Sequence, residues 1–141
     1  MKKLLFIGFI LVSLWSCSSD DPTEDEFHFE ILPIESATMP EIMYHDEVYT
    51  INYTYLKPST CHIFNDLYYI SESNYRTIAV INTVLTNVDN VICEPLPDEL
   101  VERTFTFYCE STSGSYIFKF WQGEDENGED TYLVYEVPIG R

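Results

Sequence analysis

The sequence predicts an all-β protein, a single antiparallel β-sandwich of about seven strands. Three observations lead there. Apolar and polar residues alternate with period two through Val48 to Tyr55, Arg103 to Cys109 and Tyr116 to Trp121. Aromatic and β-branched residues, which suit a pleated surface, fill those stretches; eleven tyrosines contribute to an aromatic content of 16%,. No segment repeats its apolar residues at the spacing of an amphipathic helix.

The elements follow in chain order. Phe27 to Ile34 is the first expected strand. In Val48 to Tyr55, Tyr49, Ile51, Tyr53 and Tyr55 fall on one face, with Thr50, Asn52 and Thr54 on the other, the pattern of a half-buried strand,. Cys61 to Ile70 comes next, then Thr77 to Leu85, nearly all apolar and β-branched. Leu96 to Leu100 is broken by proline and reads as a short turn. In Arg103 to Cys109, Phe105, Phe107 and Cys109 share a face. Ser111 to Ser115 is a turn by composition,. In Tyr116 to Trp121, Tyr116, Phe118 and Phe120 form the apolar face, and Lys119 marks the opposite face as solvated. Thr131 to Val137 is the last strand, which Pro138 ends or confines to an edge,.

A small β-barrel is the competing arrangement for such strands. The closing part, from Arg103 through Tyr116 to Trp121 and on to Thr131 to Val137, resembles the last strands of immunoglobulin-like and fibronectin-type domains, which implies a sandwich. The inter-sheet cysteine pair and packed tryptophan of antibody domains have no clear counterparts.

The chain ahead of this domain reads as an address. Lys2 and Lys3 precede twelve residues, Leu4 to Trp15, that are apolar apart from Ser13 and Gly8. A membrane span needs roughly 20 apolar residues. A short positive region, a short apolar core and small residues make a secretory signal peptide. Leu14-Trp15-Ser16-Cys17 resembles the lipobox of bacterial lipoproteins, with Trp15 bulkier than usual at its position. The resemblance implies cleavage after residue 16 and fatty acylation of Cys17, including palmitate-type chains. Two or more chains hold a protein stably at a bilayer, since each buried methylene contributes about 0.8 kcal/mol. Residues 17–26 are serine-rich and acidic and resemble the tethers of Bacteroidota-type surface lipoproteins. That implies an outer-membrane protein exposed at the cell surface, a periplasm-facing anchor being the alternative. The composition is also simply that of a disordered linker. Residues 27–141 then form the folded domain, about 115 residues and enough for one core,.

Without Lys2 and Lys3, five Lys and Arg face 24 Asp and Glu, a net charge of −19. Nucleic acid and anionic lipid headgroups need a basic surface and are poor partners for such a chain. Solubility, cations and basic partners are favoured.

Three cysteines remain after Cys17, and export permits a disulfide,. Cys109 is in phase with Phe105 and Phe107 and should be a small core residue. Cys61 and Cys93 stand at segment ends, so Cys61–Cys93 is the expected bridge, three free thiols being the alternative,. The acidic stretch 123–130 has the hard oxygens calcium prefers, without the ligand series of an EF-hand,. Asn127-Gly128 within it signals a two-residue type I′ hairpin, the plainer reading. His28, His45 and His62 lack metal-ligand spacing, and neighbouring Cys61 and His62 point to opposite faces of a strand,. No motif of a nucleophile, phosphate-binding loop or metalloprotease is present in the sequence,. Trp121, Tyr68 and Tyr69 are the candidate exposed aromatics for stacking on a sugar or a partner side chain. The expectation is a non-catalytic lipoprotein with a binding or structural role, needing no cofactor. A glycan- or protein-binding module, and a small hydrolase or enzyme inhibitor, are the rivals.

Overall fold

The computed structural model describes residues 26–86 and 88–141. The expected signal peptide, Cys17 and the tether up to residue 25 lie outside the described residues. Nine strands account for the fold: β1 (Phe27–Leu32), β2 (Ser36–Thr38), β3 (Met43–Tyr44), β4 (Val48–Leu56), β5 (His62–Glu72), β6 (Tyr75–Leu85), β7 (Leu100–Tyr108), β8 (Ser115–Glu124) and β9 (Asp130–Gly140). The seven expected strands are all present; β2 and β3, three and two residues long, are additional.

The strands form two sheets. In the larger, β5 is an edge strand paired with β6, and β6 pairs on its other side with β1 and β8; β9 and β3 complete the sheet. β1 covers the second half of β6, from Val80 to Leu85, and β8 covers the first, from Tyr75 to Ile78. The smaller sheet has the order β2-β4-β7. Most pairings are antiparallel, but β6–β8 and β3–β9 are parallel, which the wholly antiparallel expectation did not contain. The chain changes sheets at 33–35: the Ile34 amide donates to the Trp121 carbonyl, and the Glu35 amide to that of Thr54.

The core lies between the sheets. β4 contributes Ile51, Tyr53 and Tyr55, the face its alternation predicts, and β8 contributes Tyr116, Phe118 and Phe120. Burial lifts the Tyr53 phenol pKa to about 12,. Phe107 of the smaller sheet meets Tyr116 and Phe118 of the larger edge-to-face, with ring centroids 4.8 and 5.0 Å apart,. Cys109 is buried and free, as its phase predicts, and burial raises its thiol pKa.

The Cys61–Cys93 disulfide is formed, closing the β5–β6 hairpin together with the segment that follows it. Two local expectations are corrected. β9 does not stop at Pro138: it runs on to Gly140, where it lies beside β3. The 123–130 turn is not a two-residue type I′ hairpin. The β8–β9 ladder ends at Glu124–Asp130, leaving five loop residues, and Gly128 alone among them takes a positive φ, +79°. The Gly128 amide donates to the Asp125 carbonyl, closing a type I turn over Glu126-Asn127 with a left-handed glycine after it,. The Asp125 carboxylate dictates the choice. Its Oδ1 accepts the amides of Asn127 and Glu129 at 2.8 and 3.0 Å, which also holds its pKa below the usual carboxylate range,.

Candidate binding face

Strand phase and register sort every side chain of the larger sheet. On β6, the face carrying Ile78, Val80 and Val84 turns to the core, so Tyr75, Thr77, Ala79, Ile81, Thr83 and Leu85 look outward,. Register then assigns the partners. Tyr68 is opposite Ala79, Ile63 is opposite Thr83, and Phe27, Phe29 and Ile31 are opposite Leu85, Thr83 and Ile81. β8 adds Ile117, Lys119 and Trp121 to this outer face, and β9 adds Tyr132 and Val134 opposite Trp121 and Lys119.

The outer face is therefore strongly apolar although none of the described residues covers it. Phe27, Phe29, Ile31, Ile63, Tyr68, Tyr75 and Val134 are all exposed, Phe29 to 61%. Phe27 and Phe29 pack edge-to-face at 5.6 Å. Single exposed apolar residues are ordinary, whereas a contiguous set on one sheet face marks an interaction surface.

One row across this face is distinctive. Tyr68 of β5 is paired with Ala79 of β6, and Trp121 of β8 with Tyr132 of β9; the two pairs lie one residue beyond Ile78 and Phe120, where the β6–β8 pairing ends. Ala79 points outward yet is only 2% exposed. Polar groups fix the row. Trp121 Nε1 donates to Asp130 Oδ1 at 2.8 Å, and the Tyr132 hydroxyl donates to Asp130 Oδ2 at 3.3 Å. Lys119 Nζ sits 3.9 Å from the centre of the Tyr132 ring,. Burial, then the Asp130 carboxylate, raises the Tyr132 phenol pKa.

Of the three candidate aromatics, Tyr68 and Trp121 thus share a face and a row, Trp121 being half-buried. Tyr69 does not join them. It lies on the inner face of β5, opposite Ile78, and approaches Phe105 of the smaller sheet at 6.5 Å. Adjacent strand residues point oppositely, so the Tyr68-Tyr69 pair is split between two surfaces. Tyr132 and Ala79 were not singled out in the sequence; the flank of the acidic hairpin masked the first, and only tertiary register reveals the second.

A second constellation lies at the disulfide end. Ser59 Oγ is 2.7 Å from His62 Nδ1, and His62 Nε2 is 3.0 Å from Glu30 Oε2. A hydroxyl, an imidazole and a carboxylate in series have the order of a nucleophile, its base and an orienting acid. Their surroundings serve structure. Ser59 Oγ also accepts the Cys61 amide, and the amides of Thr60 and His62 bond the carbonyls of Glu94 and Ser59. The N–H groups nearest the hydroxyl are thus spent on the chain itself rather than aimed at a developing oxyanion. The three side chains tie β1 to the start of β5.

In the acidic loop, Asp125 spends its carboxylate on the turn, and no group of three or more His, Cys, Asp or Glu placed to hold a metal ion occurs among the described residues. No helix of the described residues is long and apolar enough to cross a membrane. No protein-family model, curated protein or solved structure matches the chain. The fold and the face define a β-sandwich with an open apolar surface on its larger sheet.

Proposed function

We propose that this chain is a non-catalytic lipoprotein, anchored to the outer membrane through lipid on Cys17, whose sandwich domain binds a partner at the cell surface. The anchor rests on the charged, apolar and small-residue series from Lys2 to Cys17 and on the acidic tether after it,. Cys17→Ala should move the protein from the membrane to the soluble fraction of the cells that make it. Retention at the level of the unaltered protein would refute lipid anchoring.

One observation carries the binding role: the Tyr68–Ala79–Trp121–Tyr132 row, in which aromatic rings flank a small residue on an exposed sheet face. This favours a glycan over other occupants. Apolar faces of sugar rings stack on aromatic rings, and Asp130 and Lys119 stand at the same rings to meet hydroxyl groups,. The net charge of −19 expected after cleavage disfavours anionic polysaccharides,.

Trp121 is the single tryptophan beyond residue 16, so its emission reports on the row directly. Titration with neutral polysaccharides such as mannan, xylan and starch should shift that emission saturably for at least one of them. Tyr68→Ala, a change at an exposed position, should weaken that binding tenfold or more without lowering Tm. No emission change and no retention on any of the immobilised polysaccharides would overturn the glycan reading.

A further inference from the structure

The two sheets part along one side, between β5, an edge of the larger sheet, and β7, an edge of the smaller. A cavity of about 470 Å³ opens there, within the range of small-molecule sites,. Phe105 and Phe107 form part of its wall, and the exposed residue Glu110 lines it as well. Arg76 reaches it from the inner face of β6, although the residue is only 7% exposed.

Arg76 is an unusual occupant of this position. Its Nη1 donates to the carbonyls of Ser73 and Tyr75 at 2.8 and 2.7 Å, and the guanidinium lies over the rings of Tyr116 and Phe107 at 4.8 and 5.7 Å. No carboxylate pairs with it among the described residues, where the ion pairs are His45–Asp46 and His62–Glu30. The guanidinium also bonds the Tyr69 hydroxyl; carbonyls, rings and a phenol are all neutral partners, and they leave a desolvated cation with its charge unmatched, a costly state that an incoming anion relieves. A planar guanidinium is suited to a carboxylate through paired N–H donors. The acid in the same cavity sets the rest of the specificity: Glu110 repels a plain anion and attracts a ligand that also carries a positive group.

We propose that this cleft binds a zwitterionic α-amino carboxylate, its carboxylate on Arg76, its ammonium group toward Glu110, and its apolar side chain against Phe105 and Phe107. The site is separate from the aromatic row and does not depend on it. A free amino acid and a short peptide share this chemistry.

Calorimetric titration of the chain from residue 17, carrying Cys17→Ser to keep it in solution, tests the assignment. Phenylalanine should bind saturably, with Kd on the order of 1 mM or tighter. Phenylalaninamide, which lacks the carboxylate, and N-acetylphenylalanine, which lacks the ammonium group, should each bind at least tenfold more weakly. Comparing phenylalanine with glycylphenylalanine and phenylalanylglycine separates the free amino acid from the peptide. Arg76→Gln should abolish binding; because Arg76 also holds two carbonyls, Glu110→Gln at an exposed position provides the second variant and should narrow the gap between phenylalanine and its N-acetyl form. No saturable binding of any of these probes, or equal binding of phenylalanine and its amide, would overturn the proposal.

Discussion

Asn82 is wholly buried on the core side of β6, between Phe64 of β5 and Glu30 of β1, and neither its Nδ2 nor its Oδ1 bonds a protein group. A buried amide without partners costs roughly 1–3 kcal/mol of desolvation. Its neighbours Ile78, Val80 and Val84 on the same face are all apolar. Asn82→Leu, close in size and shape, should therefore raise stability by about 1–2 kcal/mol, read as a higher midpoint in chemical denaturation. A drop of similar size would mean that the amide is bonded in solution, and that the strand tolerates it for that bond. This residue also shows a limit of sequence reading. Thr77 to Leu85 reads as an apolar strand, and nothing local tells whether its one asparagine faces the core or water. Tyr68 and Tyr69 teach the same lesson in reverse. Period two dictates that they diverge, but which of them meets solvent on the open face depends on the extra residue, Asn65, that shifts the β5–β6 register between Phe64 and Asp66,.

Elements were more legible than single residues wherever alternation was long. β4, β7 and β8 present the faces their residues predict, since a slip by one position would bury threonine and lysine and expose tyrosine and phenylalanine,. β2 and β3 are too short to carry any period, and their pairing comes from the passage between sheets and from β9. In the acidic turn, Asn-Gly is a strong local signal for a two-residue hairpin. The Asp125 carboxylate satisfies the amides of Asn127 and Glu129, and a five-residue loop wins. The disulfide was legible by elimination once Cys109 was placed in the core. Its role is most evident at this scale. The segment from 88 to 94 forms no strand and stays beside the 58–61 turn through the bridge, through the Thr60–Glu94 and Leu96–Pro58 backbone bonds and through the neighbouring Ser59–Pro95 contact. Closing a loop over a sequence separation of 32 stabilises by about 3–4 kcal/mol on the chain-entropy model,. The double change Cys61→Ala with Cys93→Ala should lower stability by that amount and leave β-sheet circular dichroism intact. A loss under about 1 kcal/mol would show that the backbone bonds alone hold the segment.

At the scale of the molecule, the two sheets meet through an aromatic seam, and Phe107 is its only large member from β7 that is fully inside. Its ring touches Tyr116 and Phe118 from across the core and also lies under the Arg76 guanidinium. Truncating it removes the contact of the smaller sheet with the larger at the point where the side cleft begins, so the cavity left behind would join that cleft. Phe107→Ala should cost about 3–5 kcal/mol, the range for a buried phenylalanine. Opening to solvent would place the loss at the lower end, because water fills a connected void. The change should leave the outer face untouched, since Trp121 and its bond to Asp130 lie on the far side of the larger sheet. Unfolding followed by Trp121 emission and by circular dichroism should then remain a single transition with an unchanged denaturant slope, shifted to a lower midpoint. Two separated transitions, with the tryptophan signal and most of the β signal surviving the first, would mean that the larger sheet stands without the smaller, and that the sandwich is not one cooperative unit.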